Sequence, residues 1–222
     1  MWGGLDETAE LDGTIDIVQI FSAGPHFAAL RADGSVVSHV WKGAFIGGGY
    51  SLRDNSRITD QLDGSIDVVQ VFSTDSAFAA LRTDGSVVTW GDAGYGGDSS
   101  SVSDQLDGTI DVMRIFSNDG AFAALRADGS VVTWGSSGYG GDSSLVTDKL
   151  DGTIDVVQVF SSYGAFAALR ADGSVVTWGD AGWGGDSSSV ATKLSSDVLT
   201  LSNIEDNTNL IFPVGLNTIN SN

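Results

Sequence analysis

The tripeptide Leu-Asp-Gly stands at Leu11, Leu62, Leu106 and Leu150, separated first by 51 residues and then twice by 44. A fixed period of this length means that one supersecondary unit is copied along the chain, and a unit of that size cannot bury its apolar surface alone. The copies must stack. Units starting at Leu106 and Leu150 agree at roughly three-quarters of positions, so one of them describes most of the chain. The sequence divides into residues 1–10, the tail of a preceding unit; units 11–61, 62–105, 106–149 and 150–193; and an atypical capping unit, 194–222.

Within unit 150–193, the segments 154–160 and 175–178 are β-branched and aromatic and too short for typical helices, so both are expected strands. Residues 165–170 supply a third, joined to the next by Ala171-Asp172-Gly173, whose Asp-Gly pair signals a tight hairpin. Each unit therefore carries at least three antiparallel strands. They do not alternate cleanly between apolar and polar, which implies that both sheet faces are covered. Alanine pairs at 28–29, 79–80, 123–124 and 167–168 would let neighbouring sheets approach closely. Four-stranded sheets at this period favour a propeller over a solenoid. The expected fold is all-β: a β-propeller or open propeller arc of four repeated antiparallel blades with divergent terminal part-blades.

The string AFAALRADGSVVTWG, followed by a glycine-rich loop such as DAGYGGDSS, resembles the blade of the regulator of chromosome condensation family. It resembles more closely the short-bladed bacterial members, which include the propeller-type β-lactamase inhibitory protein. The resemblance covers residues 11 to about 193 and implies a protein-binding propeller. Family blades usually carry a histidine before the apolar strand; His26 keeps it, while Ser76, Gly120 and Gly164 replace it. Family rings typically have seven blades against four full units here. An arc, and a ring completed by a second copy, both stay open. Trp2-Gly3-Gly4 matches the end of a blade, and 194–201 and 209–214 are expected strands of a divergent cap.

A net charge of −19 repels phosphate backbones and anionic lipid, so neither nucleic acid nor a membrane is an expected partner. The 30 glycines recur at fixed offsets and mark repeated turns, not a linker. No cysteine is present, which removes disulfides, thiolate metal sites and thiol nucleophiles. The N-terminal residues show no signal-peptide pattern, and no apolar run reaches membrane-spanning length.

Two loops per unit differ between copies: the one before the Ala-rich strand, with Asp75, Asn118, Asp119 and Tyr163, and the one after Trp-Gly, with Tyr95, Tyr139 and Trp183. Loops on a repeated scaffold are where partners bind, and the three aromatics would line one rim; packing on the adjacent blade is the competing reading. The first unit's insertion follows Val40 and carries Lys42 and Arg53, a locally basic stretch on an acidic chain. Asp98, Asp142 and Asp186 sit beside glycines and serines, where a carboxylate caps a turn more readily than it holds calcium. Arg31, Arg82, Arg126 and Arg170 stand two residues before the turn aspartate and are expected to pair with it.

His26 and His39 are the only imidazoles, and no nucleophile elbow, phosphate loop or zinc-binding helix occurs, so no catalytic residue, metal or cofactor is expected. The leading reading is a non-enzymatic protein-binding scaffold using its rim loops. The alternative is a structural repeat segment of a secreted or surface adhesin, calcium-stabilised or glycan-binding, which would place it outside the cell.

Overall fold

The computed structural model describes residues 15–39 and 59–196. Four three-stranded antiparallel sheets follow one another along the chain. The first comprises β1 (Ile17–Ala23), β2 (His26–Arg31) and β3 (Val36–His39), and the second β4 (Val68–Ser73), β5 (Ala77–Arg82) and β6 (Val87–Gly91). The third comprises β7 (Val112–Ser117), β8 (Ala121–Arg126) and β9 (Val131–Gly135), and the fourth β10 (Val156–Ser161), β11 (Ala165–Arg170) and β12 (Val175–Gly179). In each, the middle strand is the second in sequence. First strands of adjacent sheets lie against each other, so the sheets stack side by side around their first strands as an open, propeller-like arc.

Stacking uses the two faces of each middle strand differently. Ala77, Ala79 and Leu81 project to one side of β5 and pack with Phe122, Ala124 and Trp134 of the third sheet. Phe78 and Ala80 project to the other side and pack with Ala28 and Leu30 of the first. A flat Ala-x-Ala-x-Leu face thus receives the Phe-x-Ala face of the following sheet, and the same joint recurs between the third and fourth sheets. Phe78, Phe122 and Phe166 are each no more than 1% exposed and stack on Trp90, Trp134 and Trp178 at 5.2, 5.2 and 5.4 Å. Burying one such phenylalanine contributes about 1.5–3 kcal/mol. The second and third sheets are covered on both faces, which is why their strands lack clean alternation.

The two Asp-Gly signatures of the repeat meet each other between units. Val112 N–H donates to the Gly85 carbonyl in the preceding unit's hairpin turn at 2.9 Å, and Val87 N–H donates forward to the Leu106 carbonyl at 2.9 Å. Gly85 has φ +75°, and a Cβ there would fall 2.7 Å from Asp111 of the next unit. Any side chain would both strain the turn and separate the sheets.

The hairpin joining β11 and β12 turns through Ala171-Asp172-Gly173 with Gly173 left-handed, as its Asp-Gly pair signals. Two expectations need correction. Among the described residues each sheet has three strands, not four: after Trp-Gly in the second, third and fourth units the chain enters 3₁₀ turns such as Ala93–Tyr95 and Ser100–Gln105. There Gly97 N–H bonds back to the Asp92 carbonyl at 2.8 Å, and Thr89 Oγ1 meets Ser99 Oγ at 2.9 Å, which turns the segment back instead of extending the sheet and leaves Ser100–Gln105 against β9 of the following sheet. Finally, the strand expected from residue 194 does not start there: residues 194–196 end a short helix, α1 (Ala191–Ser196). Ser195-Ser196 replace the Asp-Gly that in the other copies forms an Asx turn, as when Thr153 N–H donates to Asp151 Oδ1 at 2.8 Å. The expected features at Trp2-Gly3-Gly4 and 209–214 lie outside the described residues.

Candidate functional site

Both variable loops emerge at the same end of each sheet and are tied together there. Asn118 Nδ2 donates to the Tyr139 carbonyl at 2.8 Å, while its Oδ1 accepts from Gly120 N–H at 3.1 Å and Ala121 N–H at 2.9 Å. Thr74 does the same with one hydroxyl, donating to the Tyr95 carbonyl at 3.0 Å and accepting from Ala77 N–H at 3.1 Å. Ser162 repeats it, with the Trp183 carbonyl at 2.8 Å and Ala165 N–H at 3.1 Å. Thr74 and Asn118 are buried. The apparent divergence Thr, Asn, Ser therefore conceals one role, recognisable in sequence because each side chain can both donate and accept. Asn118 shapes the loop and has no exposed surface to offer.

The next loop position is the one that varies in chemistry: Gly24, Asp75, Asp119 and Tyr163. These positions touch in succession. Asp75 N–H donates to the Asp119 carbonyl at 2.9 Å, and a Cβ on Gly24 would meet the Asp75 carbonyl oxygen at 2.6 Å. Tyr163 lies between Tyr139 of the preceding unit, 6.0 Å between ring centroids, and Trp183 of its own unit, 4.7 Å away. Tyr163 is 49% and Trp183 53% exposed. Tyr139 and Tyr95 are half-buried against the joint to the following sheet, so the equivalent positions do not form an evenly exposed ring. Packing holds the inner two; Trp183 stands free of it on the last of the four sheets.

The electrostatics of this rim are mixed. The Tyr139 hydroxyl, followed by the Asp119 carboxylate, pushes the Tyr163 phenol above its ordinary value. Burial, followed by the Asp119 charge, raises the Asp75 carboxyl. At Asp142 and Asp186, in the loops after Trp-Gly, the carboxyl is held below its ordinary value. Backbone amides two residues on are the main cause at Asp142 and Asp186, whose Oδ1 atoms accept from Ser144 and Ser188 N–H at 2.9 and 2.8 Å. Asp98 Oδ1 likewise accepts from Ser100 N–H at 3.0 Å, closing the same turn. Among the described residues no three His, Cys, Asp or Glu side chains gather as a metal site. The hairpin arginines pair as expected, Arg82 with Asp84 at 3.4 Å, Arg126 with Asp128 at 3.7 Å and Arg170 with Asp172 at 3.8 Å. Lys42 and Arg53 lie outside the described residues. No helix among the described residues is long and apolar enough to cross a membrane.

No family model matches the sequence, and no curated protein matches it. Among solved structures the chain is similar to human WBSCR16, with 21% identity, a TM-score of 0.46, and 76% of this chain and 48% of that one covered. It is similar to yeast RCC1 (Prp20), solved with Kap60, at 20% identity and a TM-score of 0.48, covering 73% and 43%. A third is the CRINKLY WD40 ectodomain of the Arabidopsis thaliana receptor kinase ACR4, at 13% identity and a TM-score of 0.44, covering 75% and 56%. The chain spans about half the length of these structures.

Proposed function

We propose that this chain is a non-enzymatic protein-binding scaffold, and that its contact surface is the rim built from Asp75, Asp119, Tyr139, Tyr163 and Trp183. The observation that carries this reading is the division of labour in the loops. Thr74, Asn118 and Ser162 hold three loop backbones in one geometry, while the following position changes from carboxylate to phenol. A fixed frame with interchangeable tips suits a surface that recognises a partner by side-chain chemistry. Exposed tyrosine and tryptophan beside a carboxylate supply what interface anchors use: large rigid apolar area with a polar edge.

A pull-down from native extract with the immobilised full chain tests this. We expect one protein to be retained by the wild type and by a Leu145→Ser control, which alters an exposed leucine that is not one of the rim residues, and lost with the triple change Asp119→Ala, Tyr163→Ala and Trp183→Ala. Retention by the rim variant equal to that of the wild type would refute the assignment.

A further inference from the structure

We infer that a second copy of this chain docks head to tail on the fourth sheet, its Phe27 entering the recess over Gly184. The joints between the second and third and between the third and fourth sheets each seat a phenylalanine over a glycine of the preceding unit. A Cβ on Gly96 would fall 2.6 Å from Phe122 Cδ2, and one on Gly140 would fall 2.9 Å from Phe166 Cδ2. Gly184 has the same left-handed backbone, φ +100°, yet nothing lies within 4 Å of its Cβ position. Among the described residues the socket is open. Beside it Phe160 is 55% exposed, whereas its counterparts Phe72 and Phe116 pack against a following sheet.

The matching knob is at the other end of the arc. Phe27 holds the register of Phe78, Phe122 and Phe166, pairing with His39 where they pair with tryptophan. It is 52% exposed, and Ile20, the equivalent of buried Val71, Ile115 and Val159, is 66% exposed. The first and fourth sheets therefore present opposite halves of a joint that the chain makes three times within itself. Two copies joined this way reproduce that joint with the surfaces it already uses, a heterologous contact that closes into a ring or continues according to the rotation. Residues 197–222 contain neither a tryptophan nor a Phe-Ala-Ala-Leu strand, so they lack the surface that the internal joints employ. Trp183 of the proposed rim adjoins this recess, as Tyr95 and Tyr139 adjoin the internal joints; Phe27→Asp, on the first sheet, removes self-association without touching the rim, so the two readings are told apart by whether mass or partner retention is lost.

Light scattering on the full chain across a concentration series provides the test. The wild type should reach at least twice the chain mass of 22.9 kDa, and Phe27→Asp and Phe160→Asp, both at exposed positions, should each return it to the monomer with an unchanged circular dichroism spectrum. Mixing the two variants should restore a 1:1 pair, since one keeps an intact tail and the other an intact head. A Phe27→Ser chain gives the same reading should the aspartate disturb folding. A monomeric wild type would overturn the inference and assign the recess to residues 197–222 or to a different protein. Variants that keep the wild-type mass, or that stay monomeric when mixed, would overturn it equally.

Discussion

The indole Nε1 of Trp134 donates to the carbonyl oxygen of Gly96, 38 positions earlier and in the preceding unit, at 3.1 Å. Trp178 does the same to Gly140 at 3.0 Å, and Trp90 turns to Ser38 Oγ of the first sheet at 2.9 Å. Each tryptophan thus buries its ring against its own phenylalanine while its one polar atom is satisfied by the neighbouring unit. The arc is held by joints of this kind as much as by any single sheet, because one repeat unit cannot bury its apolar faces without a neighbour.

Phe122→Ala should be far more damaging than Phe27→Ala. The first empties a joint and is expected to lower stability by about 3–5 kcal/mol, a large share of what a domain has in hand. The second removes a half-exposed ring and should stay within about 1 kcal/mol. Urea denaturation at low protein concentration, where copies do not associate, measures both.

Gly96→Ala and Gly184→Ala share the backbone strain of a left-handed alanine, and only the first also drives a methyl into Phe122. In a Phe27→Asp background, which keeps the recess open, Gly96→Ala should be more destabilising by about 1–3 kcal/mol. Equal melting temperatures would contradict the joint described here.

Asn118→Ala should lower stability by about 1–3 kcal/mol, because two buried amides and the Tyr139 carbonyl lose their partner. Asn118→Ser should recover most of that loss, since Ser162 performs the same task in the fourth unit. Thermal unfolding of the pair decides between a structural and a freely drifting position.

Acid should unfold the protein in a defined direction. Burial pushes Asp84 and Asp128 up, but the hydroxyls and amides of Ser86 and Ser130 more than offset it, and Asp142 and Asp186 are lowered chiefly by backbone amides. Carboxyls lowered in the folded state contribute stability that is complete above their unfolded value of about 3.9 and is lost as pH falls through the folded values beneath it. Asp75 has the opposite sign: raised in the folded state, its charge opposes folding at neutral pH and is relieved on protonation. Chemical denaturation midpoints should therefore fall steadily below about pH 4, and Asp75→Asn should raise the midpoint at neutral pH.

The Tyr163 phenol should titrate above an ordinary tyrosine. Tyr139→Phe should bring it down further than Asp119→Asn does, because the Tyr139 hydroxyl is the larger influence. Carbon-13 resonances of the ring, followed through alkaline titration, report this residue separately from the other tyrosines.

Much of the architecture was legible in the repeat. Period and β-branched runs defined the sheets, and strand 165–170 falls where its composition places it. The alanine pairs and the missing alternation pointed to sheets covered on both faces, as the Ala77-Ala79-Leu81 joint shows. The expected Arg-Asp corner pairing needed only a separation of two residues across a turn. Local signals of this sort survive because hydrogen bonding within a hairpin and side-chain period depend on neighbours in sequence.

Other features are set by groups 20 to 50 residues apart, which no local pattern encodes. Thr74, Asn118 and Ser162 differ in residue type along the sequence, yet each bonds a carbonyl 21 residues onward. Tyr95, Tyr139 and Trp183 are equivalent in sequence, yet only Trp183 stands on the last of the described sheets and remains exposed, so position in the arc and not residue type decides its availability. The same holds for Gly96 and Gly184, identical in backbone and opposite in surroundings. Sequence determined the unit because each unit folds on nearby contacts; tertiary structure alone decided which copies of a repeated surface are closed by a neighbour and which are left open, because burial is a property of the stack.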